Sequence, residues 1–232
     1  MNKLILGFLL MCCANAQAAE CVILLHGLAR TSASMEELQS ALVHDGYSVV
    51  NYQYPSRKKN IPTLAEEEIP LALAKCASAE KINFVTHSLG GIVLRQYLSA
   101  HAIPNLGRTV MLGPPNKGSQ VVDQFKSVPG YELINGPAGM QLGTNAESIP
   151  VLLGKVNFEV GIIAGTKSIN LILSAALPNP DDGKVSVENT KLEGMTDHIT
   201  VPVSHPFLMK DTQVINQVKF FLRNGKFSRP QI

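Results

Sequence analysis

A serine stands between two apolar runs, at Ser88, where the stretch 81–86 (KINFVT) precedes the stretch 91–102 (GIVLRQYLSAHA). The first run has the β-branched composition of a strand, and the second has the apolar spacing of a helix. A sharp strand-to-helix turn would lift the Ser88 hydroxyl clear of the sheet, with Gly90 and Gly91 allowing close approach. The helix N-terminus would add unpaired N–H groups and a partial positive charge. The pattern suits a nucleophile, although a plain turn serine is the alternative interpretation.

A serine hydroxyl needs a base to accept its proton and a third group to orient that base. Of the six histidines, His198 and His205 flank the strand predicted at 199–203 (ITVPV). The C-terminal ends of parallel strands share one edge of the sheet, so His205 falls at the edge of Ser88 and His198 roughly 16 Å away, at the opposite edge. The sequence therefore predicts His205 as the base. The remaining histidines are predicted to order a loop, cap helices or pack beside the turn: His26, His44, His87 and His101.

The elements that must position these residues alternate along the chain. Apolar, β-branched runs predict six strands, and the stretches between them predict helices, of which the first carries a capping box at Ser34 and Glu37. Pro202 lies inside the last predicted strand and indicates an edge position. The alternation predicts an α/β fold, with a mostly parallel sheet of about six strands and helices on both faces. The strands are predicted at 21–25, 47–53, 81–86, 108–112, 160–164 and 199–203, and the helices at 34–46, 63–78, 91–102 and 213–225.

Two short motifs carry a resemblance to a known family. The stretch 86–90, THSLG, resembles the nucleophile elbow G-x-S-x-G of the α/β-hydrolase fold, with threonine in place of the first glycine. The stretch 26–28, HGL, follows the first predicted strand, as the H-G-x loop does in lipases and esterases of this fold. The chain is similar to bacterial lipases and esterases through most of its length after residue 20, and its motifs occur in the expected order.

This resemblance implies roles for the residues around the serine. The backbone amides of Leu28 and Leu89 would form the oxyanion hole. His26 would order its loop rather than transfer a proton. The supporting positions around these groups would be His26, Gly27, His87 and Gly90.

The resemblance also implies the acid. Bacterial lipases of this kind carry it in an Asp-Gly-x-Val-Ser segment, and the stretch 182–186 (DGKVS) matches, which selects Asp182. Asp181 is the runner-up, since Asp-Asp-Gly is also an ordinary turn. Similarity to the same lipases over 112–123 places three residues near the entrance of the site: Pro114, Asn116 and Ser119.

The implied activity is that of a serine carboxylic-ester hydrolase, esterase or lipase-like, which works through an acyl-enzyme and needs no cofactor or metal. An acyltransferase with the same triad and a catalytically silent binder of lipid or protein are the alternatives. The span 127–158, where such enzymes place a lid, is rich in Gly and Pro and predicts a small cap. The apolar stretch 168–178 is predicted to be a core-packed helix rather than the wall of an acyl pocket.

Length and composition limit the possibilities. The chain has 232 residues, 45% hydrophobic and 16% charged, with a net charge of +2, which suits one globular domain. The only basic cluster, residues 57–59, is short and predicts a solvated loop, so no nucleic-acid partner is implied. We expect a small-molecule or lipid ester as the partner, with the oligomeric state left open.

The N-terminal residues 1–19 have the layout of a secretory signal peptide, with a basic start, an apolar stretch and small residues after it. This predicts export to the periplasm or the medium, with the hydrolase domain at 20–232. No segment is long and apolar enough to predict a transmembrane helix. In an oxidising compartment, the two remaining cysteines, Cys21 and Cys76, are expected to form a disulfide.

Overall fold

The computed structural model describes residues 20–229, so the signal peptide predicted at 1–19 lies outside the described residues. Strands and helices alternate along the described chain, as predicted. The elements are β1 (Glu20–Leu25), α1 (Glu36–His44), β2 (Ser48–Tyr52), α2 (Ile61–Ala74), β3 (Lys81–His87), α3 (Leu89–Ala100), β4 (Leu106–Leu112), α4 (Gln120–Phe125), α5 (Tyr131–Met140), α6 (Ile149–Leu152), β5 (Val160–Gly165), α7 (Leu171–Ser174), α8 (Val187–Thr190), β6 (Asp197–Val201) and α9 (Thr212–Asn224).

The six strands form one sheet in the order β2-β1-β3-β4-β5-β6, and every neighbouring pair is parallel. Apolar side chains cover both faces. On one face Ile23 and Phe84 pack with α2 and α3, and on the other Val22 and Val85 pack with α1 and α9. The predicted parallel α/β sheet is confirmed, and the C-terminal ends of all six strands lie at one edge.

The predicted capping box is wrong. A 3₁₀ turn occupies 32–35, and α1 begins only at Glu36. The Ser34 hydroxyl donates to the carbonyl oxygen of Thr31 at 2.7 Å instead of capping α1. The side chain of Ser34 therefore closes the preceding turn, a local hydrogen bond that competes with the cap.

The last strand also differs in its bounds. Strand β6 ends at Val201, so Pro202 lies just outside it rather than inside. The edge position that Pro202 indicated is nevertheless correct, since β6 pairs only with β5 among the described strands. A proline directly after an edge strand ends the ladder without the loss of an internal hydrogen bond.

The expected disulfide is present between Cys21, in β1, and Cys76, just after α2, with a Cα–Cα distance of 5.9 Å. Both residues are buried and belong to the core that α2 and α3 form against the sheet. The bridge ties the N-terminal part of β1 to the connection that leads into β3.

The prediction for 168–178 is wrong. Only a single helical turn, α7, forms there, and Ile169, Leu171 and Ile172 are 68%, 80% and 75% exposed. The residues of this segment also do not line the cavity beside Ser88. A four-residue helix is too short to lay a continuous apolar stripe on the sheet, so its side chains remain in solvent. None of the helices within 20–229 has the length and apolar character needed to cross a membrane.

Candidate active site

Ser88 occupies a sharp turn between β3 and α3, with φ 51° and ψ −118°. Among residues 20–229, Ser88 and Ala29 are the only residues other than glycine that have a positive φ. Such backbone strain costs on the order of 1–3 kcal/mol and concentrates at functional sites. The turn is held in place by the Ser88 N–H, which donates to the carbonyl oxygen of Leu112 at 2.9 Å.

Two glycines allow helix α3 to start against the sheet. A methyl group on Gly90 would lie 2.6 Å from the carbonyl oxygen of Leu25, too close for any side chain. One on Gly91 would lie 3.1 Å from Oγ1 of Thr86. Because Gly91 has no side chain, the side chain of Thr86 has room beside it. A threonine can therefore occupy the position of the first glycine in the elbow pattern.

His205 and Asp182 form a buried pair at the same edge of the sheet. Nδ1 of His205 lies 2.7 Å from Oδ2 of Asp182, and the backbone N–H of His205 donates to the carbonyl oxygen of Asp182 at 3.0 Å. The other carboxylate oxygen of Asp182 accepts from the N–H groups of Lys184 and Val185. Since Nδ1–H of His205 donates to the carboxylate, Nε2 is left as the basic nitrogen.

Asp181, the runner-up for the acid, is occupied elsewhere. One of its carboxylate oxygens accepts from Gly183 N–H at 2.7 Å, and the other accepts from the Ser174 hydroxyl at 2.6 Å. Its side chain closes its own turn and fixes the end of α7. The structure thus brings Asp182, and not Asp181, to His205.

Residues 112–113 contact both Ser88 and the pair of His205 and Asp182. Leu112 accepts the hydrogen bond from Ser88, and a methyl group on Gly113 would lie 3.0 Å from both Oδ2 of Asp182 and Nδ1 of His205. Ser88 and His205 line one cavity, although no direct hydrogen bond joins their side chains. When a base and a nucleophile line the same cavity, the hydrogen bond between them can form on substrate binding, since catalytic hydrogen bonds are often long in free enzymes.

The predicted oxyanion donors lie beside Ser88. Leu89 is the first residue of α3, and Leu28 follows the glycine that faces Ser88. Within the described chain, neither backbone N–H donates to a protein acceptor. A methyl group on Gly27 would lie 3.3 Å from Cβ of Ser88, so this loop passes close to the serine. Two free amides near the serine hydroxyl can stabilise a developing negative charge.

His26 orders the loop after β1. Its ring stacks on Tyr54 at 4.3 Å, donates from Nδ1 to the carbonyl oxygen of Gly27 and accepts from Tyr54 N–H at Nε2. Desolvation by burial lowers the pKa of His26, which favours the neutral ring that these two bonds require. Both ring nitrogens are engaged away from Ser88, so His26 has no free nitrogen for proton transfer.

His87 packs beside His205, next to the turn that carries Ser88. Its Nε2 is 3.1 Å from the carbonyl oxygen of His205, and the two rings are 4.7 Å apart. Desolvation by burial, with a further contribution from His205, lowers the pKa of His87 well below its usual range. The neutral ring donates from Nε2 to the carbonyl. Its buried Nδ1 finds no partner within 20–229.

The cavity beside Ser88 has a volume of about 340 Å³ and a largely apolar wall. The apolar wall was not among the predictions, although Val121 and Val122 belong to the segment 112–123 that the resemblance covers. Ser119 lines the cavity as predicted, and Pro115 does so in place of Pro114. Asn116 does not, because its side chain bonds to Arg95 and to Thr190. The apolar wall consists of Leu28, Val121, Val122, Ile134, Leu142 and Val185.

The remaining histidines lie away from the cavity. Nε2 of His198 bonds to the hydroxyl of Thr190 at 3.0 Å, and His101 pairs with Glu66 at the end of α3. His44 ends α1. In the part of the chain that the structure describes, no group of three or more His, Cys, Asp or Glu side chains could hold a metal ion.

Comparisons with known proteins show the fold. No protein-family model matches the chain, and no curated protein matches it by sequence. The structure is similar to the lipase BlEst2 from Bacillus licheniformis, with a TM-score of 0.67 and 20% identity over 90% of this chain and 93% of the lipase. It is also similar to an esterase from Pyrococcus furiosus, with a TM-score of 0.65 and 15% identity over 89% and 82% of the two chains.

A third similar structure is the phospholipase PlaB from Legionella pneumophila, with a TM-score of 0.69 and 16% identity. The match covers 90% of this chain and 59% of the phospholipase, so this chain spans little more than half of that protein. The shared architecture is that of the α/β-hydrolase fold, as the elbow and the loop after β1 predicted.

Proposed function

Since the chain has the α/β-hydrolase fold, we propose that it is a serine carboxylic-ester hydrolase with Ser88 as nucleophile, His205 as base and Asp182 as the orienting acid. One observation carries the proposal. A serine with a strained backbone, at φ 51°, shares a cavity with a histidine whose Nδ1 lies 2.7 Å from a buried carboxylate. The names of the similar proteins, lipases, an esterase and a phospholipase, support ester hydrolysis as the reaction.

The first half of the proposed reaction forms an acyl-enzyme. Oγ of Ser88 attacks the ester carbonyl carbon while Nε2 of His205 takes the hydroxyl proton. The amides of Leu28 and Leu89 hold the negative charge on the former carbonyl oxygen. The tetrahedral intermediate then collapses, the bond to the alcohol oxygen breaks, and His205 returns its proton to the departing alcohol.

The second half returns the enzyme. A water molecule gives a proton to Nε2 of His205 and attacks the acyl carbon, and the bond to Oγ of Ser88 breaks as the serine regains its proton. The carboxylate of Asp182 stabilises the imidazolium that forms in each half. The acid leaves the cavity, and the chain needs no other reactant than water.

The size of the cavity points to short acyl chains. A volume of about 340 Å³ lies at the lower end of the range for small-molecule sites, roughly 300–1,000 Å³. Buried Val121, Val122 and Leu142 offer the apolar surface that a short aliphatic chain needs. We therefore expect butyrate esters to be better substrates than palmitate esters.

A fluorophosphonate probe tests the proposal without a guess about the substrate. We expect an adduct on Ser88, located by peptide mass spectrometry and absent from Ser88→Ala. Turnover of p-nitrophenyl esters of increasing chain length would then give the acyl preference. Transfer of the acyl group to an added alcohol in preference to water would instead indicate an acyltransferase, and a folded protein without any adduct would indicate a silent binder.

We also propose that the protein is exported, as the sequence of residues 1–19 predicts. The disulfide between Cys21 and Cys76 supports this, since structural disulfides persist in oxidising compartments. Mass spectrometry of the intact protein from periplasmic and medium fractions would locate it and identify the cleavage site. A full-length chain confined to the cytoplasm would contradict export.

A further inference from the structure

The charged residues around the cavity have one sign. Of the residues that line it within the described chain, Arg30 and Lys184 carry formal charge and none is Asp or Glu. The rest of the lining consists of apolar side chains, hydroxyl and amide groups and the two histidines, His87 and His205. An apolar pocket with two convergent polar groups at its rim is the usual design of a specific ligand site.

Hydrogen bonds fix the backbone at both cationic residues, which are exposed at the rim of the cavity. Arg30 ends a tight turn in which its N–H donates to the carbonyl oxygen of Gly27, and the turn is completed by Ala29 at φ 55°. Lys184 is fixed on both sides, since its N–H donates to Asp182 and its carbonyl oxygen accepts from the Ser119 hydroxyl at 2.6 Å. Their positions follow from the same loops that carry the oxyanion amide and the acid.

Neither side chain has an acidic partner. Within residues 20–229, no carboxylate lies within ion-pair distance of Arg30 or Lys184, whereas Lys59, Lys81 and Lys117 all form ion pairs. The carboxylate of Asp182 is engaged with His205 and two backbone amides.

The ammonium of Lys184 is in an unfavourable position without a counter-ion. Although much of the side chain is exposed, desolvation at the cavity lowers the pKa of Lys184, Asp182 opposes this, and the charge of Arg30 lowers it further. Two cations that repel each other over one opening would both gain from an anion between them.

We propose that Arg30 and Lys184 bind an anionic group, a carboxylate or a phosphate, on the alcohol part of the ester substrate. The inference rests on the proposed function. The buried apolar wall takes the acyl chain, so the alcohol part must face the exposed rim through which it leaves. Both cations lie at that rim, where they can bind the anion while the ester carbonyl lies over Ser88.

Matched substrates that differ in charge on the alcohol side test the proposal. The first pair is 4-carboxyphenyl butyrate and its neutral counterpart 4-carbamoylphenyl butyrate. The second pair is dibutyroylglycerol phosphate and dibutyroylglycerol, which differ by the phosphate. The kcat/KM ratio of anionic to neutral ester is measured for the wild type, Arg30→Gln, Lys184→Gln and the double variant. Effects of the cations on the triad act on both esters of a pair, so the ratio isolates substrate charge.

We expect this ratio to fall about 5- to 10-fold in the double variant, the size of two partly exposed charge pairs. It should also fall in the wild type as NaCl rises from about 0.05 to about 0.5 M, because salt screens the attraction. Lys226→Gln is the matched control. Lys226 precedes Phe227, whose N–H bonds to Asp197 at the start of β6, so this lysine lies at the opposite edge of the sheet.

The outcomes separate this proposal from the proposed function. A fall in either pair supports the anion site and identifies the carboxylate or the phosphate as its ligand. Turnover of the neutral esters with an unchanged ratio in both pairs would overturn the anion site alone. A preference only for an anion on the acyl side, measured with monophenyl succinate against phenyl succinamate, would overturn its placement. Absence of both ester turnover and the Ser88 adduct would overturn the proposed function, and this inference with it.

Discussion

The ring of His87 donates a hydrogen bond from Nε2 to the backbone carbonyl oxygen of His205, at 3.1 Å. His205 is thus held at three points, because its N–H and its Nδ1 both bond to Asp182. His205 lies outside the regular strands, in a 3₁₀ turn four residues after β6. Hydrogen bonds to Asp182, in a loop, and from His87, the last residue of β3, fix the orientation of the proposed base.

Replacement of His87 tests this positioning role. We expect His87→Phe to lower kcat about 5- to 10-fold with KM little changed, since the loss of one buried hydrogen bond costs roughly 1 kcal/mol. His87→Gln keeps a donor and should recover part of the loss. His101→Phe, on the exposed end of α3, is the control. A rise in KM with constant kcat would mean that His87 contacts the substrate instead.

The two histidines near β6 should respond differently to truncation. We expect His205→Ala to lose about 10³-fold or more in kcat/KM on p-nitrophenyl butyrate, as removal of a base does in serine hydrolases. His198→Ala should stay within about threefold, because His198 lies within β6, outside the cavity, and bonds to Thr190. Circular dichroism checks that both variants fold. Comparable losses in the two variants would disprove the assignment by sheet edge.

The adjacent aspartates give a second matched pair. Asp182→Asn would leave His205 without a carboxylate at Nδ1, and we expect kcat to fall about 10³- to 10⁴-fold. Asp181→Asn removes an acceptor from Gly183 and Ser174, so it should lower the free energy of unfolding by about 1–2 kcal/mol and reduce kcat far less. Steady-state kinetics and urea unfolding of each variant measure both effects. A larger loss of kcat in Asp181→Asn would reverse the assignment.

The motif positions and the edge of the sheet were predictable from the sequence because they depend on chain order and strand direction. Alternating apolar runs imply parallel strands, and parallel strands bring Ser88, Asp182 and His205 to one edge whatever their packing. Position in the sheet could not separate Asp182 from Asp181, because adjacent residues share an edge. The resemblance of 182–186 to the lipase segment selected Asp182, and in the structure it is Asp182 that bonds to His205.

What the sequence did not predict depends on side-chain environment. The apolar stretch 168–178 has the composition of a core helix, yet Ile169, Leu171 and Ile172 are exposed. Their exposure depends on the path of the chain, which composition does not predict. Arg30 and Lys184 line the same cavity although they are 154 positions apart in the sequence. Both lie in irregular loops, whose paths the sequence pattern does not predict. The predicted capping box is absent because the Ser34 hydroxyl donates to the carbonyl oxygen of Thr31 and does not accept from a helical N–H.

Buried neutral histidines should make the fold sensitive to acid. The pKa values of His26 and His87 are lowered in the folded chain, and both residues titrate near pH 6.5 when unfolded. Below about pH 6.5 the unfolded chain binds protons that the folded chain does not. The free energy of unfolding should therefore decrease as the pH is lowered below this value, by at most about 1.4 kcal/mol per pH unit for each histidine.

Urea unfolding between about pH 7.5 and pH 5 measures this dependence. Carboxylates contribute as well, so the informative quantity is the difference in slope between variants. His87→Phe should show a shallower fall than the wild type. Equal slopes for the two proteins would show that His87 takes up a proton in the folded state.

Removal of the disulfide should lower stability and spare the chemistry. Cys21 and Cys76 are 55 residues apart, and a loop of that length corresponds to roughly 4 kcal/mol of stabilisation in the chain-entropy estimate. Both side chains are buried in the core, so the double variant Cys21→Ala/Cys76→Ala avoids placing polar groups there. We expect the free energy of unfolding of the double variant, measured in guanidinium, to be about 2–4 kcal/mol lower than that of the wild type. The wild type with its disulfide reduced should show the same decrease. Cys21 lies near the N-terminal end of β1, at the edge opposite Ser88, so kcat/KM at low temperature should not change. A loss of activity in folded protein would mean that the bridge also shapes the site.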